Sequence, residues 1–411
     1  PILPLKESGK ITHANAATFN WEIACPKNEG DEIYIIGNPP YLGSFLQSKE
    51  QKKDLELVCT GFKSYKDLDY IAIWFIKAAR YIERTQMKFS FVTTNSICQG
   101  EQVSLLWPFI FALDLEIFFA HESFKWLNNA KGNAGVYCAI IGVANKSTSQ
   151  KMLYNENIIS NVKAISPYLT SGSTSIIKKA TKPLSNIPVM NYGSKVVDGG
   201  FLILNTEEKE KFESNYPQIK GLIKKFIGSA EFIRGVDRWI FYIEDDQLEF
   251  ARSIPEIQKR LDDVTKFRLK STEESTRNYA SKPHKFYYSV HNNSDAIIIP
   301  RTSSFRRDYI PMGFLNGDAI ISDSASVIYN ATSWIFGILN SQIHMVWVKA
   351  VGGRLKTDYR YSSQLCYNTF PFPEIKEKDK HLISEYVFAI LDERAKFPQK
   401  TMAWLYNPET M

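Results

Sequence analysis

Apolar residues recur at helical spacing over residues 66–84, where Leu68, Ile71, Ala72, Phe75, Ala78, Ala79 and Ile82 share one face. That spacing predicts an amphipathic helix laid on a sheet. Ahead of it, Ile33-Tyr34-Ile35-Ile36-Gly37 predicts a buried strand, and residues 89–93 predict another, closed by Asn95 and Gly100. Val103, Leu106, Phe109, Ile110 and Leu113 predict a second helix. Residues 115–120 and 136–143 then predict two strands joined by the polar stretch 128–135. Strand, helix, strand, helix, strand, strand is the ending of a doubly wound sheet, where ligands sit at the carboxyl ends of the strands.

The second half has a mixed α+β texture. A Gly/Ser/Thr-rich stretch at 170–175, followed by Lys178, Lys179 and Lys182, reads as a linker. Residues 201–204, 286–290 and 296–299 predict strands, and 333–349 an apolar helix belonging to a core. Thr206 with Glu207 and Glu208 starts a helix, the acids suiting its N-terminus. After Pro371-Phe372-Pro373, residues 379–397 predict a helix. Leu382, Tyr386, Ala389, Ile390 and Glu393 form its packing face. The expected division is 1–150, 151–370 and a helical segment 371–411.

Composition narrows the class. The 411 residues are 44% hydrophobic and 23% charged, ordinary for a globular chain. No apolar run reaches the ~18 residues that span a membrane. The five cysteines (Cys25, Cys59, Cys98, Cys138 and Cys366) show no paired spacing, which implies neither zinc nor disulfides and suits a cytoplasmic setting. His121, His284, His291 and His344 have no ligand spacing, and Asp245-Asp246 and Asp262-Asp263 read as polar faces, so no metal is expected. The net charge of +6 is compatible with a polyanionic partner. The chain opens at Pro1 and reads as part of a longer polypeptide.

The sharpest chemistry is Asn38-Pro39-Pro40-Tyr41, set directly behind the first strand. The prolines fix φ, remove N–H groups and restrict the residue before them. The Asn38 amide oxygen and the Pro39 carbonyl are thereby held as two acceptors converging on one point. A planar amino group placed there donates both hydrogens, its lone pair leaves conjugation, and the nitrogen becomes nucleophilic. Tyr41 supplies a ring against which a flipped-out base can lie. The tetrapeptide resembles motif IV of the amino-methyltransferases. No G-x-G, Walker A or HExxH sequence occurs, and the dipeptide Pro-Asp of a common nuclease centre is absent.

Segments along the whole chain resemble the MmeI-like combined restriction–modification enzymes (type IIG/IIL). In the first half they are Ile11-Thr-His-Ala-Asn-Ala16, 37–43, Leu68-Asp-Tyr-Ile71, 94–102 and His121-Glu-Ser-Phe-Lys-Trp126. Downstream come Ile165-Ser-Pro-Tyr168, 231–235, 309–314 and 353–362. The resemblance implies adenine-N6 methylation with S-adenosylmethionine. Asn38 and Pro39 would bind the target amino group, Tyr41 would stack on the adenine, and Phe124 or Trp126 would form the other face of the sandwich. Asn15 would hold the cofactor's adenine. The implied fold is α/β, a partial class I (Rossmann-like) methyltransferase sheet followed by a mixed α+β target-recognition domain and a short helical C-terminal segment. The glycine-rich cofactor motif and a nuclease would lie in a missing N-terminal portion.

The implied partner is double-stranded DNA. Arginine matches guanine O6 and N7 with its planar fork, so Arg301, Arg306 and Arg307 rank first as base readers. Arg354, Lys356 and Arg360, after a Gly-Gly turn, suit phosphates. Two other readings stand: a DNA-recognition module without catalysis, and a protein or RNA amino-methyltransferase.

Overall fold

The computed structural model describes residues 19–28, 30–62, 64–126, 136–155, 158–355 and 357–411. They form two compact units that divide between Lys178 and Lys179.

In the first unit, α1 (Trp21–Ala24) is capped by the Asn20 side chain. It is followed by β1 (Tyr34–Gly37), α2 (Lys49–Val58), α3 (Ala72–Ile82), β2 (Lys88–Thr94) and α4 (Gly100–Ala112). Then come β3 (Leu115–Trp126), β4 (Val136–Asn145), β5 (Lys151–Asn155) and β6 (Ile158–Val162). The sheet order is β1-β2-β4-β3-β5-β6. β1 runs parallel to β2, and β4 inserts antiparallel between β2 and β3. This is the expected ending of a methyltransferase sheet.

α3 is apolar nearly all round and is buried along its length. It starts at Ala72 rather than 66 because Tyr65–Asp67 forms its own 3-10 turn and Leu68 is extended. β5 and β6 enlarge the sheet past the expected boundary at 150, and Ile165, Leu169 and Ile176 still pack on this core. Lys151 opens β5 fully buried, its ammonium 2.7 Å from Glu116 and bonded to the carbonyls of Ser147 and Ser149.

The second unit holds three small sheets. One runs Ile320–Ile321, Ile223–Ile227, Trp239–Phe241, Ile203–Leu204. Another runs Gly313–Leu315, Ala296–Pro300, Ala325–Tyr329, Asn191–Tyr192. The third joins Thr302–Ser303, Asp358–Arg360 and Gly353–Leu355. The helix Thr206–Asn215 begins where the acids predict, but the cap is Asn205, in a reciprocal pair with Glu208.

Three expectations for this unit need correction. Residues 286–290 form no strand; Tyr288 makes a single bridge to Lys195. The stretch 333–349 is two helices, Ser333–Leu339 and Gln342–Val351, because Ser341 caps the second by accepting the His344 N–H. The helix Glu377–Ala395 turns the other way from its expected packing face. Ile383 and Val387 seat against Gly337, where an added Cβ would lie 2.5 Å from Ile383. Leu382, Tyr386, Ala389, Ile390 and Glu393 are exposed. The segment after 371 packs into the second unit's core through Phe372, Val387 and Leu391.

One side chain ties much of this unit together. Arg268, fully buried on the helix Pro255–Leu269, donates to the carbonyls of Val196, Val197, Tyr279, Lys282 and Lys285 at 2.8–3.2 Å. Every carbonyl left unpaired in such a site carries a desolvation cost. Arg268→Met is expected to destabilise the unit by about 3–5 kcal/mol in denaturant unfolding. Arg268→Lys should fail to restore it, because a point ammonium cannot span the five acceptors.

Candidate functional site

β1 ends at Gly37, registered on Phe91 of β2, and the chain leaves the sheet there as Asn38-Pro39-Pro40-Tyr41. Pro39 is buried and anchors the segment, whereas Asn38 and Pro40 are exposed. The exposed Asn38 amide makes no hydrogen bond among the described residues and is open to an incoming donor. Tyr41 is 40% exposed. Partial burial, and then the neighbouring Cys138 thiol, raise its hydroxyl above the ordinary tyrosine range.

Cys138 of β4 locates the opposite wall. It is registered on Thr94 of β2 on one side and on Phe124 of β3 on the other. Directly opposed residues present side chains to the same sheet face, so Phe124 shares the face of Cys138, the thiol whose proximity helps raise the Tyr41 hydroxyl. A bulge between His121 and Phe124 adjusts this end of β3. Trp126 lies two residues further on, 42% exposed, its ring 6.3 Å from that of Phe124. The expected cofactor contact Asn15 lies outside the described residues.

The loop after the motif is fastened by side chains that the motif itself does not announce. The Asp69 carboxylate accepts the Ser96 hydroxyl at 2.7 Å and the Ser44 N–H. Burial pushes its pKa up, and these two bonds offset part of that rise. Ser96 continues to Thr94 at 2.9 Å. Gln102 binds the Asp69 N–H and the Asp67 carbonyl, and the Tyr70 N–H donates to Leu42. Buried Gln47 donates to the carbonyls of Leu42 and Leu68. Asp69, Ser96 and Gln102 belong to the segments 68–71 and 94–102 that carry the family resemblance, and that was their only signal in the sequence.

In the second unit, the two arginine-bearing stretches meet on the small third sheet. Thr302 is registered on Arg360 and Ser303 on Tyr359, with Arg354 across from Tyr359. The Tyr361 N–H donates to the Arg301 carbonyl, and the Phe305 N–H to Asp358. Beneath them, Tyr361 and His344 are buried and bonded at 2.8 Å.

The arginines are not equivalent. Arg301 donates to the Asp323 carbonyl and lies 4.4 Å from the Tyr192 ring centre. Arg354 stacks 3.9 Å from Tyr359. Arg307 is half-buried, within 3.4 Å of Ser303. Arg306 and Arg360 project into solvent, their guanidinium groups without an internal partner among the described residues. Lys356 lies outside the described residues.

Comparison with known proteins accounts for both features. The model of the MmeI DNA-methyltransferase domain matches residues 1–155, and that of the MmeI target recognition domain matches residues 171–374. The solved structure of the Type IIL restriction-modification enzyme MmeI in complex with DNA is 40% identical, with a TM-score of 0.91, over 100% of this chain and 55% of its own. The chain belongs to the MmeI family. DNA methyltransferase A of Bacillus subtilis (strain 168) is 44% identical over 412 residues, 100% of this chain and 47% of its own length. The chain thus spans about half the length of these relatives.

Within this MmeI-family layout, the Asn38–Tyr41 segment, Phe124 and Trp126 fall in the methyltransferase domain. Both arginine stretches fall in the target recognition domain. No helix among the described residues is long and apolar enough to cross a membrane.

The clamp around the motif loop gives a direct test. Asp69→Ala leaves the Ser44 N–H and the Ser96 hydroxyl without their acceptor, and is expected to destabilise the first unit by about 1–3 kcal/mol in denaturant unfolding. Amide exchange at residues 42–46 should rise in the same variant.

Proposed function

We propose that the protein, at its full natural length, methylates the exocyclic N6 of an adenine flipped out of duplex DNA, at a sequence selected by its target recognition domain. The observation that carries this reading is the Asn38 amide, held free at the end of β1 beside buried Pro39, within a chain belonging to a DNA-methyltransferase family. S-adenosylmethionine, as methyl donor, supplies the electrophilic methyl group. Asn15 is the residue of this chain proposed to contact its adenine.

The chain's own groups supply the rest. The Asn38 oxygen and the Pro39 carbonyl accept the two amino hydrogens and turn the nitrogen lone pair toward the incoming methyl. Once methylated, the nitrogen loses a proton readily, so no general base with a shifted pKa is needed. Flipping the base costs a few kcal/mol, and stacking on Tyr41 and a second ring returns ~1–3 kcal/mol each. We assign the second ring to Phe124, because its register partner Cys138 is near enough to Tyr41 to act on its hydroxyl electrostatically.

Among the arginines, Arg306 and Arg360 are the assigned DNA contacts, because their guanidinium groups have no internal partner among the described residues. Arg301, Arg307 and Arg354, engaged as described, shape that surface.

Asn38→Ala is expected to lower methyl transfer by about 100–1,000-fold while changing DNA affinity less than about threefold. Parallel loss of both, measured by transfer assay and binding titration, would contradict its role. Phe124→Ala should weaken base flipping about 5–100-fold, and Trp126→Ala should have the smaller effect; the reverse order would move the assignment to Trp126. Arg306→Ala should relax the sequence preference if it reads a base, as seen by sequencing DNA selected from a randomised duplex pool. An even fall in affinity with a salt slope lower by about 1 would make it a phosphate contact.

A further inference from the structure

Four residues beyond Tyr41, Phe45 and Leu46 stand 95% and 75% exposed on the 3-10 turn Ser44–Leu46. Adjacent large apolar side chains left this open are uncommon on a folded surface unless something covers them. The turn is held firmly at both ends. The Leu46 N–H donates to Gly43 at 2.9 Å, the Ser44 N–H to Asp69, and buried Gln47 is bonded to two carbonyls. Ser48 then starts α2 with a reciprocal cap to Gln51.

α2 carries charge where its own stability disfavours it. Lys49, Lys52 and Lys53 lie in its first two turns, at the end where the helix dipole repels cations. At i, i+3 and i+4 they share one face. With Lys66 they line a depression of about 310 Å³, whose lining holds one carboxylate, Glu56. All four lysines are exposed, and none has an ion-pair partner among the described residues. Glu50 on α2 is bonded to its own N–H and the Ser48 hydroxyl, and Lys53 acts on it only as a nearby charge.

We propose that residues 44–53, with Lys66, form a second duplex-DNA contact, on the methyltransferase unit: the lysines hold backbone phosphates and Phe45 wedges against the bases beside the flipped adenine. The inference rests on the DNA-methylation reading above and adds a binding surface outside the arginine-bearing sheet. Four exposed lysines around one carboxylate, none in an ion pair among the described residues, favour a polyanion over an apolar protein partner. An apolar tip on a rigid turn is the kind of group that enters a base step and holds it unstacked.

The test uses the full-length protein and a duplex carrying its methylated site, with 2-aminopurine at the target adenine. Lys49→Gln/Lys52→Gln/Lys53→Gln should flatten the slope of log affinity against log salt by about 2–3. Phe45→Ala should weaken binding by about 5–100-fold and lower the 2-aminopurine signal of the bound complex. These side chains are exposed, so folding is checked by circular dichroism. Unchanged salt slope and affinity in variants of a wild-type protein that methylates DNA would overturn this proposal alone. A Phe45→Ala variant with wild-type DNA binding but an altered sedimentation coefficient would also overturn it, by showing that protein covers the turn. Wild-type protein that neither binds nor methylates duplex DNA would overturn the underlying function as well.

Discussion

An acceptor without an internal partner is the constraint around which the first unit is arranged. The exposed Asn38 amide makes no hydrogen bond among the described residues and stays open to a ligand. What keeps it aimed is rigidity on every side. Parallel pairing of β1 with β2 fixes the strand end, and two prolines remove the freedom of the turn. Gln47 ties the following loop to Leu68, and Asp69, whose own N–H is held by Gln102, ties it to Ser96 in the turn after β2. Preorganisation of this kind is what an electrostatic site needs, since reorganising dipoles during the reaction would forfeit the gain.

The second unit solves a different problem, presenting cations in defined places. Short strands alone would hold the 301–307 and 353–360 stretches loosely. The core under them, with Tyr361 and His344 buried and bonded, removes that looseness. Burial pushes the His344 pKa down to about 3, so the imidazole stays neutral and adds no charge beneath the arginines. Arg301 and Arg354 are committed to carbonyl and ring contacts, which leaves Arg306 and Arg360 projecting from a stiffened edge.

How much of this was legible in the sequence depended on whether the signal was local. The Asn38–Tyr41 motif could be read because its chemistry requires consecutive residues behind a strand. The alternation of helices and strands from 66 to 145 was clear for the same reason, whereas α2 (Lys49–Val58) was not read. Arg268 could not be read, because its acceptors come from residues more than seventy positions away as well as from nearby turns. The Glu377–Ala395 helix shows that an apolar stripe names a face but not its partner. A narrow row through Ile383 and Val387 fits against Gly337, and the broader stripe through Leu382 and Tyr386 stays in solvent. Among the arginines, residue type alone could not separate Arg301, held by Asp323 and Tyr192, from the free Arg306.

The central claim is that the open Asn38–Pro39 acceptors act on an adenine amino group in DNA. Its most direct test is to incubate the full-length protein with S-adenosylmethionine and mixed-sequence duplex DNA, then identify the methylated base by digestion and mass spectrometry. The account predicts N6-methyladenine, confined to one adenine within a defined sequence. Methyl groups found only on cytosine, on RNA or on a protein amide, or no methylation of DNA at all, would contradict it.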